Sequence, residues 1–185
     1  MYVPNYLFFT KGVGVHKEQL ASFEIALRDA GIAHLNIVEV SSIFPPDCEI
    51  IDFEKGLNLL SPGEVTPCVL AKIESNEPVR RIVASIGLAL PREKGRHGFL
   101  SKHHAFGQTE EEGGEYAEDL AATMLANTLG LEFDVNKDYD ERREVFRISG
   151  KIVETWHTSQ GALGDENSKW TTAVVAAVFV HGERL

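Results

Sequence analysis

Residues 18–46, EQLASFEIALRDAGIAHLNIVEVSSIFPP, pass from a helical pattern to a strand pattern with only a short connection between them. In the first part, residues 18–30, the apolar side chains recur at steps of three and four, as they do on one face of a helix: Leu20, Phe23, Leu27 and Ala30. Gly31 then stands where a helix-ending glycine belongs. Residues 35–43 are rich in β-branched side chains and predict a strand, which two prolines end.

Further strand patterns lie on both sides of this unit. Before it, residues 6–10 (YLFFT) predict a short buried strand, and the glycines of KGVGV, residues 11–15, predict a loop. After it, several runs of strand-forming residues are separated by polar turns, which predicts a largely antiparallel sheet. These runs lie within residues 59–75, 78–91, 95–107, 143–160 and 169–181.

A second amphipathic helix is predicted over residues 110–130, with Thr109 as its N-cap and an acidic first turn that complements the helix dipole. Its predicted inner face carries Ala117, Leu120, Ala121, Met124 and Thr128. The order is therefore strand, helix, strands, helix, strands. This order predicts a single α+β domain, residues 1–185, built as a layered sandwich of largely antiparallel sheets covered by helices, an αββα-like arrangement.

The composition excludes several classes of protein. The formal net charge of -10 argues against binding to a nucleic-acid backbone, and no apolar run reaches the roughly 20 residues of a membrane span. No signal peptide is recognisable at the N-terminus, so we expect a cytoplasmic protein with Cys48 and Cys68 as reduced thiols. No metal site is predicted, because no cysteine or carboxylate stands at a ligand spacing from His97, His103 or His104.

Ser41 and Ser42 stand at the point where the strand of residues 35–43 meets the prolines. A serine hydroxyl can attack the carbonyl carbon before it, and the resulting ester can eliminate to leave a new N-terminus that hydrolyses to a pyruvoyl group. That chemistry needs a tightly held turn and a donor for the oxyanion, for which Asn36 is a candidate. On pattern alone, self-cleavage and a plain strand-to-loop junction both remain open.

Three segments together resemble the pyruvoyl-dependent arginine decarboxylases: residues 21–46, GFLSKHHAFGQ, and VETWHTSQ followed by TTAVVAAVFV. The most specific feature is the order of a helix, AGI, Asn, SSI and a double proline. The resemblance implies a proenzyme that cleaves itself between Ser41 and Ser42 into a β chain, residues 1–41, and an α chain, residues 42–185. It also implies a covalent pyruvoyl group derived from Ser42 and a homotrimer, or a multiple of it, with active sites between subunits.

The activity that the resemblance implies is the decarboxylation of L-arginine to agmatine, a step of polyamine synthesis. A planar guanidinium is best matched by a carboxylate that binds it in a bidentate way. Glu24 aligns with an acidic residue that family members use for this contact, and Leu20 is expected to form a wall of the pocket. The alternative for Glu24 is a solvated helix glutamate.

Lys102 departs from the family pattern, in which a glutamate expected to protonate the substrate carbon stands at this position. Lys102 could donate the proton itself, or His103 or His104 could take over, although neighbouring strand residues point to opposite faces. A third reading is an impaired family member with a structural or regulatory role. A decarboxylase of another amino acid also remains open.

Overall fold

The fold is described from a computed structural model, which covers residues 3–130 and 152–182. Within these residues the chain forms nine strands and three helices. The strands are β1 (Tyr6–His16), β2 (Asn36–Glu39), β3 (Ile43–Phe44), β4 (Glu49–Ile50), β5 (Val65–Ser75), β6 (Arg81–Pro91), β7 (Gly98–Phe106), β8 (Ile152–Leu163) and β9 (Trp170–Val180). The helices are α1 (Gln19–Asp29), α2 (Phe53–Leu57) and α3 (Glu110–Thr128).

Two sheets pack face to face between the helices. The first sheet has the strand order β2-β5-β9-β1-β4, and the second has the order β3-β7-β6-β8. The pairs β2 with β5 and β1 with β4 are parallel, whereas the remaining neighbours are antiparallel. Helix α1 packs on β1 and β9 of the first sheet, and α3 packs on β6, β7 and β8 of the second. The predicted α+β sandwich with helices outside both sheets is confirmed.

Strand β9 is the centre of the first sheet, and it is buried on both faces from residue 171 to residue 180. One set of alternating side chains packs between the two sheets: Ala173, Val175, Ala177 and Phe179. The other set packs beneath α1: Val174, Ala176, Val178 and Val180. Because both faces are covered, the strand is apolar from residue 173 to residue 180 instead of alternating with polar residues.

The prediction of a glycine loop after residue 10 is wrong, because β1 continues through these residues to His16. The glycines serve close packing instead of a turn. A Cβ atom on Gly12 would lie 2.3 Å from the carbonyl oxygen of Ala26, and one on Gly14 would lie 2.0 Å from that of Ser22. The backbone of α1 therefore lies directly on the backbone of β1, where no larger residue would fit.

The predicted helix over residues 18–30 is confirmed, and its predicted inner residues Phe23, Leu27 and Ala30 pack on the core, whereas Leu20 does not. The buried side chains of α1 are Ser22 and Ala26, whereas Leu20 is 79% exposed. The Ser22 and Thr172 hydroxyl oxygens lie 2.7 Å apart in a hydrogen bond between helix and sheet. Small residues form the contact because they let the helix approach the strand closely.

Helix α3 is confirmed with its N-cap, since the Glu112 N–H donates to the Thr109 hydroxyl and Glu112 bonds back to the Thr109 N–H. Its buried face is again built largely from small residues: Gly113, Gly114, Ala117, Ala121, Ala122 and Ala126. The predicted inner residue Thr128 is exposed. No helix in the described part of the chain is long and apolar enough to cross a membrane.

The strands predicted within residues 59–75, 78–91, 95–107 and 169–181 are confirmed as β5, β6, β7 and β9. The run predicted over residues 143–160 is confirmed from Ile152 onward as β8, and its first part lies outside the described residues.

We expect Gly14→Ala to lower the free energy of unfolding by about 1–3 kcal/mol, because the added Cβ atom forces α1 away from β1. Urea unfolding at one fixed protein concentration measures the change. Val15→Ala is the control, since Val15 is 40% exposed on the same strand and should change stability by less than about 0.5 kcal/mol. Equal stability of the Gly14 variant and the parent would contradict the proposed backbone contact.

Candidate functional site

The peptide between Ser41 and Ser42 lies where the chain crosses from the first sheet to the second. Before it, the Val40 N–H donates to the Cys68 carbonyl of β5, with 2.9 Å between nitrogen and oxygen. After it, the Leu100 N–H of β7 donates to the Ser42 carbonyl at 2.8 Å. The predicted continuous strand over residues 35–43 is therefore wrong: it splits into β2 and β3, which belong to different sheets.

A three-residue turn is centred on Ser42. The Ile43 N–H donates to the Ser41 carbonyl, with 2.9 Å between nitrogen and oxygen. The Ser41 side of the junction is exposed, whereas Ser42 is half-buried. The carbonyl that Ser42 would have to attack is thus held by a hydrogen bond from within the same turn.

The buried Phe44 fixes the chain on the far side of the junction. Its side chain is 4% exposed and packs into the core between the two sheets. A turn follows, in which Asp47 takes a positive φ of 57° and the Cys48 N–H donates to the Pro45 carbonyl at 3.3 Å. Aspartate tolerates this conformation better than most residues, so the turn can redirect the chain into β4.

An apolar cavity of about 560 Å³ adjoins the junction. Its walls come mainly from the junction and the prolines around it: Val40, Ser41, Ile43, Pro45, Pro46 and Pro67. None of the side chains that line it is ionisable. The cavity has the volume of a small-molecule site.

Asn36, the predicted oxyanion donor, lies at the opposite end of β2 from the junction. Its amide nitrogen donates to the Gly63 carbonyl at 2.7 Å. Because β2 is extended, the Cα atoms of Asn36 and Val40 are about 13 Å apart at 3.3 Å per residue. The structure does not bring Asn36 and Ser41 together within one chain, and the role of Asn36 stays a prediction.

Lys102 lies on β7 and reaches across to the first sheet. Its Nζ atom donates to Glu39 Oε2 of β2 at 3.2 Å, in an ion pair that links the two sheets beside the junction. Lys102 is two residues beyond Leu100, the residue that holds the Ser42 carbonyl. Glu39 was not singled out from the sequence, although it stands two residues before Ser41 on the strand that leads into the junction.

The two histidines after Lys102 point to opposite sides of the second sheet. His103 packs its ring against Tyr116 of α3, with ring centroids 4.4 Å apart, and its Nε2 atom lies 2.8 Å from Gln108 Oε1. His104 is exposed and alternates onto the same face as Lys102. Of the two histidines, only His104 shares a face with Lys102.

Glu24 and Leu20 lie on α1, on the outer side of the first sheet, and neither lines the cavity at the junction. Both carboxylate oxygens of Glu24 accept hydrogen bonds from Arg28 Nη2, at 2.7 and 2.9 Å. Leu20 projects into solvent. The structure therefore separates the predicted guanidinium contact from the predicted cleavage site within one chain.

Both cysteines are free thiols, as predicted. Burial, with a smaller contribution from the Glu39 carboxylate, raises the pKa of Cys68 to about 12. Burial and the Glu49 carboxylate raise the pKa of Cys48 to about 12 as well. Since the thiolate is the nucleophilic form, neither cysteine is suited to attack a carbonyl near neutral pH. Across residues 3–130 and 152–182, no group of three or more potential ligands is placed to hold a metal ion.

A buried polar cluster under α3 was also not foreseen. Glu118 accepts a hydrogen bond from the Thr155 hydroxyl at 2.7 Å, and its other oxygen lies 2.8 Å from His157 Nδ1. The two partners stand on β8, at the edge of the second sheet opposite to β3. This cluster joins the helix to the sheet, away from the junction.

The model of the family described as pyruvoyl-dependent arginine decarboxylase matches residues 6–184. A protein of Chloroherpeton thalassium named probable pyruvoyl-dependent arginine decarboxylase is 56% identical over 179 residues, which are 97% of this chain and 98% of that protein. A protein of Methanosarcina acetivorans named pyruvoyl-dependent arginine decarboxylase 2 is 53% identical over 178 residues, 96% of this chain and 97% of that protein.

These matches agree with the arrangement around Ser41 and Ser42, where a constrained serine pair joins the two sheets. The family model and both relatives cover nearly the whole chain, including the junction, both sheets and the helices on them. The chain belongs to the pyruvoyl-dependent arginine decarboxylase family.

Proposed function

We propose that this chain cuts its own backbone between Ser41 and Ser42, into a β chain of residues 1–41 and an α chain of residues 42–185. The α chain then begins with a pyruvoyl group made from Ser42, and the protein uses it to decarboxylate L-arginine to agmatine and carbon dioxide. The observation that carries the proposal is the pair of hydrogen bonds, to Cys68 of the first sheet and from Leu100 of the second, that holds the chain on either side of the Ser41–Ser42 peptide.

The surroundings of Ser42 fit a pyruvoyl group. The Ser42 carbonyl stays on the α chain after the cut, and the Leu100 N–H holds it at 2.8 Å. The new N-terminus would therefore remain beside the apolar cavity, while Ser41 lies exposed and can move away as the end of the β chain. The cut releases one side of the junction and leaves the other fixed.

The chemistry that a pyruvoyl group supplies is electron withdrawal, which eases the loss of carbon dioxide from an amino acid attached to its keto carbon. The residues around it favour the same loss. The apolar walls of the cavity disfavour the charged carboxylate relative to neutral carbon dioxide, because burial in such surroundings penalises charge.

A proton must then reach the α carbon of the substrate, and we assign its delivery to Lys102 Nζ. Lys102 is next to the strand segment that holds Ser42, and Glu39 orients its ammonium group from 3.2 Å. His104, on the same face, can exchange protons with solvent because it is exposed. The family pattern has a glutamate at position 102, where this chain has a lysine. Through its contact with Lys102, Glu39 places a carboxylate next to the site.

For recognition of arginine, we assign the guanidinium contact to Glu24 and a wall of the pocket to Leu20. The Glu24 carboxylate already binds a guanidinium, that of Arg28, in this chain. A substrate would compete with an exposed intrahelical pair, which contributes only about 0.3–0.5 kcal/mol. Since the cavity itself offers no carboxylate, arginine needs one from outside it.

This separation supports a homotrimer, or a multiple of it, in which Glu24 and Leu20 of one copy complete the cavity of the next. Leu20 is 79% exposed, and contact with another copy would remove its apolar surface from water. Asn36, at the exposed end of β2, could reach a neighbouring junction in the same way. We also propose a cytoplasmic location, in keeping with two unpaired thiols.

The first test is release of agmatine and labelled carbon dioxide from carboxyl-labelled L-arginine. We expect activity in the parent, none in Ser42→Ala, and a fall in kcat of about 10²–10⁴ in Lys102→Gln with KM little changed. Lys94→Gln, which removes an exposed lysine from the loop before β7, is the matched control and should keep full activity. An inactive parent whose Lys102→Glu variant is active would support an impaired family member instead.

The second test concerns substrate choice. Glu24→Gln should raise the KM for arginine by roughly 10–100-fold, since a hydrogen-bonded ion pair loses its charge, and should leave self-cleavage unchanged. The KM for citrulline, which has a neutral group in place of the guanidinium, should change little in the same variant. Glu18→Gln, at the exposed start of the same helix, is the control. An unchanged KM for arginine in Glu24→Gln would remove Glu24 from the site.

A further inference from the structure

We infer that the backbone N–H of Ile43 is the donor that stabilises the oxyanion on the Ser41 carbonyl during self-cleavage, and that Leu100 holds this donor in place. The inference rests on the proposed function, because it concerns the same bond. It adds a donor that belongs to the scissile turn itself, whereas the sequence had directed attention to the side chain of Asn36.

The geometry is that of a three-residue turn with Ser42 at its centre. The Ile43 nitrogen lies 2.9 Å from the Ser41 carbonyl oxygen. Ser42 is not among the described residues with positive φ, so the turn is of the inverse γ type, which is common where strands end. The turn has a chemical role because its acceptor, the Ser41 carbonyl oxygen, belongs to the peptide bond that breaks.

In the first step, Ser42 Oγ bonds to the Ser41 carbonyl carbon, and the Ser41 oxygen takes the negative charge. The bond from this carbon to the Ser42 nitrogen then breaks, the oxygen regains its double bond, and the hydroxyl proton passes to the nitrogen. An ester between Ser41 and Ser42 results.

In the second step, Ser42 loses its Cα proton to water and its Cβ–O bond breaks, which releases Ser41 as a carboxylate. Residue 42 becomes a dehydroalanine, and the addition of water with loss of ammonia leaves the pyruvoyl group. No oxidant or reductant enters the sequence of steps.

Only the first step places charge on the Ser41 oxygen before the chain is cut. A donor already aligned with that oxygen gains strength as the charge develops, because charge-assisted hydrogen bonds are roughly twice as strong as neutral ones. The Ile43 N–H already lies 2.9 Å from the oxygen that takes the charge, so only the small shift of that oxygen as its carbon becomes tetrahedral separates it from the oxyanion.

Leu100 fixes this donor through the peptide that joins Ser42 to Ile43. The carbonyl of that peptide accepts from the Leu100 N–H at 2.8 Å, and the N–H of the same peptide donates to Ser41. Hydrogen bonds in a chain polarise one another, so the bond from Leu100 strengthens the donor. The Leu100 side chain is completely buried in the core between the sheets, which makes β7 a rigid support.

The test replaces Ile43 with its α-hydroxy acid analogue, introduced during translation, so that an ester oxygen takes the place of the N–H and the side chain stays. We expect the self-cleavage rate, followed by intact mass, to fall by about 10²-fold. Hydrolysis of the introduced ester would cut after residue 42 and give different masses, so it cannot be mistaken for the natural cut.

The matched control is the same replacement at Ile51, whose N–H donates to the Leu7 carbonyl away from the junction. It should cleave at the parent rate. The replacement at Leu100 removes the supporting bond and should slow cleavage by less than the replacement at Ile43. Cleavage of the Ile43 variant within about threefold of the parent rate would overturn the inference.

Hydroxylamine separates the two steps, because it cuts esters and leaves amides intact. Hydroxylamine also cuts the introduced ester, but that cut gives residues 1–42, so only the fragment of residues 1–41 is counted. If the Ile43 N–H acts on the acyl shift, the variant should release no more of the 1–41 fragment with hydroxylamine than the parent does. Slow cleavage with accumulated ester would place the defect in elimination and overturn the inference. The comparison can be repeated with ordinary residues. Ile43→Pro lacks the N–H and should cleave slowly, whereas Ile43→Val keeps the N–H and should cleave at about the parent rate.

The proposed function is judged separately from the same samples. A parent chain that cuts, together with an Ile43 variant that cuts equally fast, would leave the proposed function standing and remove the inference. A parent chain that never cuts would overturn both.

Discussion

The hydrogen bond from the Leu100 N–H to the Ser42 carbonyl determines how the chain passes between its two sheets. On one side of the Ser41–Ser42 peptide the backbone belongs to the first sheet, and on the other side it belongs to the second. The peptide is therefore held from two directions. A backbone carbonyl held in such a place loses much of the freedom that would make its reaction with a neighbouring hydroxyl slow in a flexible chain.

The rest of the fold keeps the two sheets in the positions that this crossing requires. Strand β9 fills the centre of the first sheet with side chains on both faces, and glycines in β1 let α1 lie directly on the sheet. Gly87 of β6 has the same role under α3, since a Cβ atom there would lie 2.2 Å from the Ala117 backbone. Close backbone packing on both outer faces makes the sandwich a stiff frame for the junction.

The layered architecture and most elements follow from the sequence, because they depend on local periodicity. The inward position of Ser22 and Ala26 in α1 does not, because these residues lie against the sheet for their small size, which an apolar pattern does not indicate. The KGVGV segment resembles a loop in isolation and is a strand only because α1 lies against it. The split between β2 and β3 depends on hydrogen bonds to Cys68 and Leu100, which are distant in sequence.

The residues of the candidate site also fall into two groups, those that the sequence indicates and those that only the structure identifies. The serine pair, the prolines and Lys102 were found from the order of residues, whereas Glu39 gained its importance only from its contact with Lys102. The contact of Glu24 with Arg28 instead of the cavity follows from the position of α1 outside the first sheet. No local pattern in the sequence specifies which residues meet across two sheets or between copies of the chain.

The most direct test of the central claim is the intact mass of the purified chain under denaturing conditions. We expect two fragments, residues 1–41 and 42–185, with the larger one lighter by one ammonia than the product of simple hydrolysis and blocked to N-terminal sequencing. A single uncut chain, or a cut at any other bond, would contradict the claim that the crossing between the sheets is where this protein makes its own cofactor.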